Sequence, residues 1–156
     1  MFVDTVPDWT DINLLWGEPK MLYPILALIG WTFVMWVWMY VTRLPAMQKH
    51  NIDPQAALIP GSLDVLPQKV RQIAHNYNHL HEQPTLFYAL ALVAHVGMWA
   101  DGVSIWLAWG YVGLRVLHSL VQATVNLVVM RFAVFALASL VLMALFVKTI
   151  LEALGS

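Results

Sequence analysis

Two uninterrupted apolar runs constrain this chain more than any other feature. Met21 to Val41 contains no charged residue, and Phe132 to Leu151 contains only Lys148, near its far end. A helix needs ~20 mostly apolar residues to cross a hydrocarbon core about 30 Å thick, at ~1.5 Å rise per residue. Both runs meet that requirement. Pro24 falls near the start of the first, where a missing N–H does no harm. Composition agrees, because the chain is 60% hydrophobic and only 11% charged, whereas a soluble domain carries about 25% charged residues.

Two less clean runs lie between. Pro84 to Trp99 is apolar but short, and reaches spanning length only if its helix includes the polar stretch before it. Val103 to Ala123 is long enough, yet contains Arg115, His118, Ser119 and Gln122. Ala100, Asp101 and Gly102 read as a tight turn, and a weaker break falls near Thr124 to Asn126. The expected fold class is therefore all-α: one integral membrane domain forming an up-down bundle of four helices. Its spans are expected at about 21–42, 67–99, 103–124 and 130–152.

The segment 43–66 differs in composition. Pro45, Pro54, Pro60 and Gly61 mark it as an ordered loop outside the membrane. Arg43, Lys49, Lys69 and Arg71 flank or occupy it, Arg131 should lie on the same side, and Lys20 and Lys148 lie opposite. Excess Lys and Arg stays cytoplasmic, so the loop and Arg131 are expected to face the cytoplasm and both termini to face away. Asp4, Asp8 and Asp11 precede any apolar run, which does not read as a signal peptide. Trp9, Leu14, Leu15 and Trp16 suit a membrane surface. The net charge of −1 gives no electrostatic case for nucleic acid, and the absence of cysteine excludes thiolate metal sites and a cysteine nucleophile. Tryptophans 31, 36 and 38 are expected to face lipid or a neighbouring protomer.

Ionisable residues at membrane depth are costly and face a bundle interior or a cavity. The stretch "NYNHLHEQPTLFYAL", Asn76 to Leu90, concentrates them. On a continuous helix His75, His79 and Glu82 fall at i, i+4 and i+7, on one face, with Asn78 and Glu82 paired on the adjoining face. On the third helix Arg115, His118, Ser119 and Gln122 share a stripe. Setting the two stripes against each other makes Glu82 and Arg115 an expected buried ion pair. Pro84 inside the second helix is expected to free the carbonyl of Leu80. His75, His79 and Glu82, with His118, also have usable metal-ligand spacing. However, neither HExxH nor the paired Glu-x-x-His of di-iron bundles occurs, and His81 and His95 lie off that face. No metal ligand is assigned.

These residues carry a resemblance. "NYNHLHEQPTLFYAL", together with "WGYVGLRVLHSL" (Trp109 to Leu120) and "NLVVMRFAVFAL" (Asn126 to Leu137), is similar to the signatures of the MAPEG family, the membrane-associated proteins of eicosanoid and glutathione metabolism, in its bacterial branch. The resemblance runs from about Met21 to the C-terminus. It implies a homotrimer of four-helix protomers in a bacterial inner membrane, with glutathione bound between neighbouring protomers near the cytoplasmic face. By that resemblance Asn78 or His79, Glu82, Arg115 and His118 are the matched glutathione-binding positions, and Arg131 is the cation that stabilises the thiolate. The thiolate attacks a hydrophobic electrophile or reduces a lipid peroxide. The sequence departs from the pattern in three places. His75 stands where an Arg is usual, with Arg71 one turn earlier as the substitute cation. Asn78 and Glu82 are four apart instead of three. Gln122 replaces a common Tyr. A non-catalytic lipid-binding or accessory membrane subunit of the same fold is the alternative, and a metal or haem protein a third reading.

Overall fold

A computed structural model describes residues 19–155. The expectations for Trp9, Leu14, Leu15 and Trp16 lie outside the described residues. A 3-10 turn at Pro19–Met21 leads into α1, Leu22–Lys49. After two more 3-10 turns, Pro54–Leu58 and Ser62–Val65, come α2, Gln68–His79, and α3, Gln83–Val96. The chain ends with α4, Gly102–Ala123, and α5, Val128–Gly155. Among the described residues there is no strand.

The packing is up-down. Ile25 and Leu28 of α1 share one core cluster with Ala91 and Ala94 of α3, Ala108 of α4, and Leu142 and Leu145 of α5. Met35 and Met39, further along α1, share the other cluster with Ile73 and Leu80, and with Ala123 at the end of α4. Each helix thus runs opposite to the next. α2 and α3 together form one arm, so the architecture is a four-helix bundle with its second member interrupted.

α1 and α5 are each 28 residues of apolar helix, of which only 22% of the most hydropathic window is buried within the chain. At ~1.5 Å per residue each is about 42 Å long, more than a bilayer core requires. Their outward side chains, among them Phe33, Trp36, Val41, Phe132 and Leu140, are exposed and apolar. That arrangement suits lipid and not water.

Three sequence expectations change. The loop begins later than residue 43, because α1 continues through Pro45 to Lys49. Leu44, Ala46 and Met47 favour helix, and Met47 is buried. The second arm is two segments instead of one helix with an internal proline. The break at Leu80 to Glu82 comes first, and Pro84 falls in the first turn of α3, where its missing N–H has no intrahelical bond to make. Trp36 is exposed to the outside, but Trp31 and Trp38 are half-buried against the core of α2 and α4.

Asp101 starts α4. Its Oδ1 accepts from the Ser104 backbone N–H and hydroxyl, both at 2.9 Å, and Lys148 Nζ lies 2.9 Å from its Oδ2. The Ser104 N–H, then Lys148, hold its carboxyl down from 3.8 to about 2. A depressed pKa contributes stability that is full above the unfolded value, about 3.9, and is lost as pH falls through the folded value. Asp101→Ala is expected to cost about 1 kcal/mol at neutral pH. In thermal melts in detergent, the wild-type advantage should shrink as pH falls below about 3.9.

Candidate functional site

The polar residues gather at the end of the bundle where the 50–67 connection lies, and α2 divides them between two faces. Gln72, Asn76 and His79 face α4. Gln72 Nε2 donates to the carbonyls of Ala123 and Thr124 at 2.8 and 3.0 Å, and Asn76 Nδ2 donates to Ser119 Oγ at 2.5 Å. Asn76 is 0% exposed, and its Oδ1 has no partner. Asn76→Ala should therefore lower stability by about 1 kcal/mol, read as a lower Tm, chiefly by loosening α2 from α4.

On the other face of α2, Arg71, His75 and Asn78 line a cleft of ≈ 190 Å³ with Arg43 of α1 and Asp64 of the connection. Arg71 Nη1 lies 3.4 Å from Asp64 Oδ1, while its Nε is buried without a partner. His75 is exposed at this cleft, whereas His79, one turn on, packs against rings of α4 and α5. No group of three or more His, Asp or Glu is gathered for a metal ion among the described residues.

The interior cluster centres on Phe135 of α5. The His79 ring stacks on it at 5.5 Å, with the planes 21° apart, and the His118 ring lies 5.0 Å from His79. The Arg115 guanidinium carbon sits 5.0 Å from the Phe135 centroid and 5.3 Å from that of Tyr111. Arg115 Nε donates to the Tyr111 hydroxyl at 2.9 Å, which in turn points at Gln83 Oε1, 3.5 Å away. Gln83 Nε2 donates to Ser139 Oγ at 2.8 Å, and Ser139 closes the chain on the Phe135 carbonyl, also at 2.8 Å. Arg115 is 1% exposed, yet its Nη2 meets no acceptor.

The expected Glu82–Arg115 ion pair does not form among the described residues. Glu82 belongs to the break, outside the helical stripe, so its side chain turns to the surface and its Oε2 meets His79 Nδ1 at 2.6 Å. Arg115 lies between rings instead. Arg131, in the first turn of α5, donates from Nη1 to Asn126 Oδ1 at 2.6 Å, and its Nε is buried without a partner. Asn126 holds that position from a left-handed backbone, φ 52°, which Asn tolerates better than most residues.

Several contributing residues escape a reading of the sequence. Tyr111 carried a signal, since it lies one turn before Arg115 on the same stripe. Ser139 is a lone hydroxyl in an otherwise apolar part of α5, and Asn126 stands beside the turn. Phe135, Gln83 and Arg43 carried none.

A bundle with lipid-facing helices and a cluster of polar and cationic side chains at one end is the architecture of an integral membrane protein. The model of the MAPEG family matches residues 21–151, and the chain belongs to that family. No curated protein and no solved structure matches it.

Proposed function

We propose that this protein is a glutathione-dependent membrane transferase or peroxidase acting on hydrophobic electrophiles. The observation that carries this reading is a set of three buried guanidinium nitrogens without protein acceptors: Arg71 Nε, Arg115 Nη2 and Arg131 Nε. Glutathione offers two carboxylates and, once ionised, a thiolate. Arg71 has Asp64 beside it, but Arg115 and Arg131 meet a hydroxyl and an amide oxygen instead of a carboxylate; a buried cation without a counter-ion is costly, so a ligand that brings negative charge is favoured beside these two.

Arg131 is the catalytic cation. A thiol is a weak nucleophile until it loses its proton, and an adjacent positive charge favours that loss. Arg remains charged throughout. Arg71, His75 and Asn78 on one face of α2, and His79 with Glu82 of the break and Arg115 and His118 of α4 on its other side, supply the remaining contacts to the tripeptide, which lies between protomers of a homotrimer. The electrophile enters from the bilayer. An apolar groove of ≈ 550 Å³ between α3 and α5, lined by Leu86, Leu90, Leu142 and Phe146, ends at Gln83 and Ser139, and these join the hydrogen-bonded chain that leads to Arg115. The chain crosses the inner membrane several times as a single domain, with the long connection and Arg131 cytoplasmic.

The test is thiol-dependent conjugation of an alkyl-tailed electrophile by the reconstituted protein, with cross-linking to count protomers. Product formation that requires glutathione supports the reading. Equal product with and without the folded protein contradicts it. A C-terminal reporter active only in the cytoplasm would refute the orientation.

A further inference from the structure

The break between α2 and α3 does more than turn the chain. It lets the carboxylate of Glu82 reach His79 Nδ1 at 2.6 Å. An ionised carboxylate only accepts hydrogen bonds, so Nδ1 carries the hydrogen, and in the neutral ring Nε2 is then the nitrogen with the lone pair. Stacking on Phe135 fixes the ring plane. The dyad thus has the form of an oriented general base: the carboxylate sets the tautomer and stabilises the imidazolium formed on protonation.

The charged and titratable groups around His79 come from each packed element. Glu82 lies at the break. His118, with its ring 5.0 Å away, and Arg115, across the Phe135 ring, come from α4. Arg131 of α5 is near enough to His118 to act on it electrostatically. Arg43 of α1 faces the opposite side of α2, with His75. A base that removes a proton beside guanidinium groups leaves an anion where positive charge is already placed.

We propose that His79, held by Glu82, is the general base that takes the thiol proton of glutathione. This rests on the function proposed above. The thiol S–H bond breaks and its proton goes to His79 Nε2. The sulfur electron pair forms a C–S bond to the β-carbon of an activated alkene, and the π pair moves through the alkene to the adjoining carbonyl oxygen. The imidazolium then returns the proton to the α-carbon. The reaction is an addition and consumes no oxidant or reductant.

A residue that merely bridges two helix segments would affect stability and leave the pH dependence unchanged. The experiment therefore measures the pH–rate profile for conjugation of an alkyl-tailed activated alkene at saturating glutathione, together with glutathione binding. In His79→Gln the rate at neutral pH should fall by about 10²–10⁴-fold, and the imidazole inflection should disappear. In Glu82→Gln the rate should fall less. Glutathione binding by wild type with an unchanged profile in His79→Gln overturns this inference and leaves the proposed function standing. Absence of glutathione binding in wild type overturns both. Should His79→Gln fail to fold, Glu82→Gln decides, and an unchanged rate there with glutathione binding intact counts against the dyad.

Discussion

Arg131→Ala should lower glutathione-dependent kcat/KM by about 10²–10³-fold, the loss typical when one preorganised charge-stabilising donor is removed. The effect belongs to kcat, because the charge on sulfur is larger after ionisation than before it. Stability should change little, because the guanidinium makes one internal hydrogen bond, to Asn126, and sits in the first turn of α5 and not in the core. The unpaired N–H groups of that turn add positive potential, which remains in the variant and limits the loss. Arg131→Lys should recover only part of the rate, since an ammonium group lacks the fixed fork that Asn126 orients. Asn126→Ala should act in the same direction with a smaller effect. Steady-state kinetics with circular dichroism on the same samples checks all three.

Arg115→Met should separate stability from function. The side chain is buried, carries a full charge, and meets one hydroxyl and two aromatic faces but no carboxylate. Replacing buried ionic groups by apolar residues of similar volume is often neutral or stabilising by about 1–4 kcal/mol. The variant should therefore keep or raise its Tm while its affinity for glutathione falls by at least about tenfold, equivalent to ~1.4 kcal/mol. A residue serving only the fold would show the reverse, a lower Tm with binding intact. Thermal melts and equilibrium binding on one preparation distinguish the two.

The fold was readable because lipid imposes simple rules. Uncharged runs such as Met21 to Val41 have few structural choices, and helical periodicity assembled Arg115, His118, Ser119 and Gln122 into a stripe whose members are all buried. The site was readable only in part. A periodic argument assumes that the helix continues, and α2 stops at His79. That interruption turned Glu82 away from Arg115 and left it with His79, its i, i+3 neighbour on the face the spacing had marked. The proline that hinted at irregularity lies after the break. His75 shows the same limit: it shares a helical face with His79 by counting, but it is exposed and lines the cleft beside α1 and the connection, while α4 and α5 receive His79. Partners drawn from distant segments, as Phe135 and Gln83 are, leave no local pattern at all.

Arg115 and Arg131, the guanidinium groups without a carboxylate partner at the loop end of the bundle, are proposed to receive glutathione. Calorimetric titration of glutathione into detergent-purified wild-type protein, shown to be folded and oligomeric, tests this most directly. Saturable binding that weakens in Arg115→Met is the predicted result. No binding to that folded oligomer would contradict it.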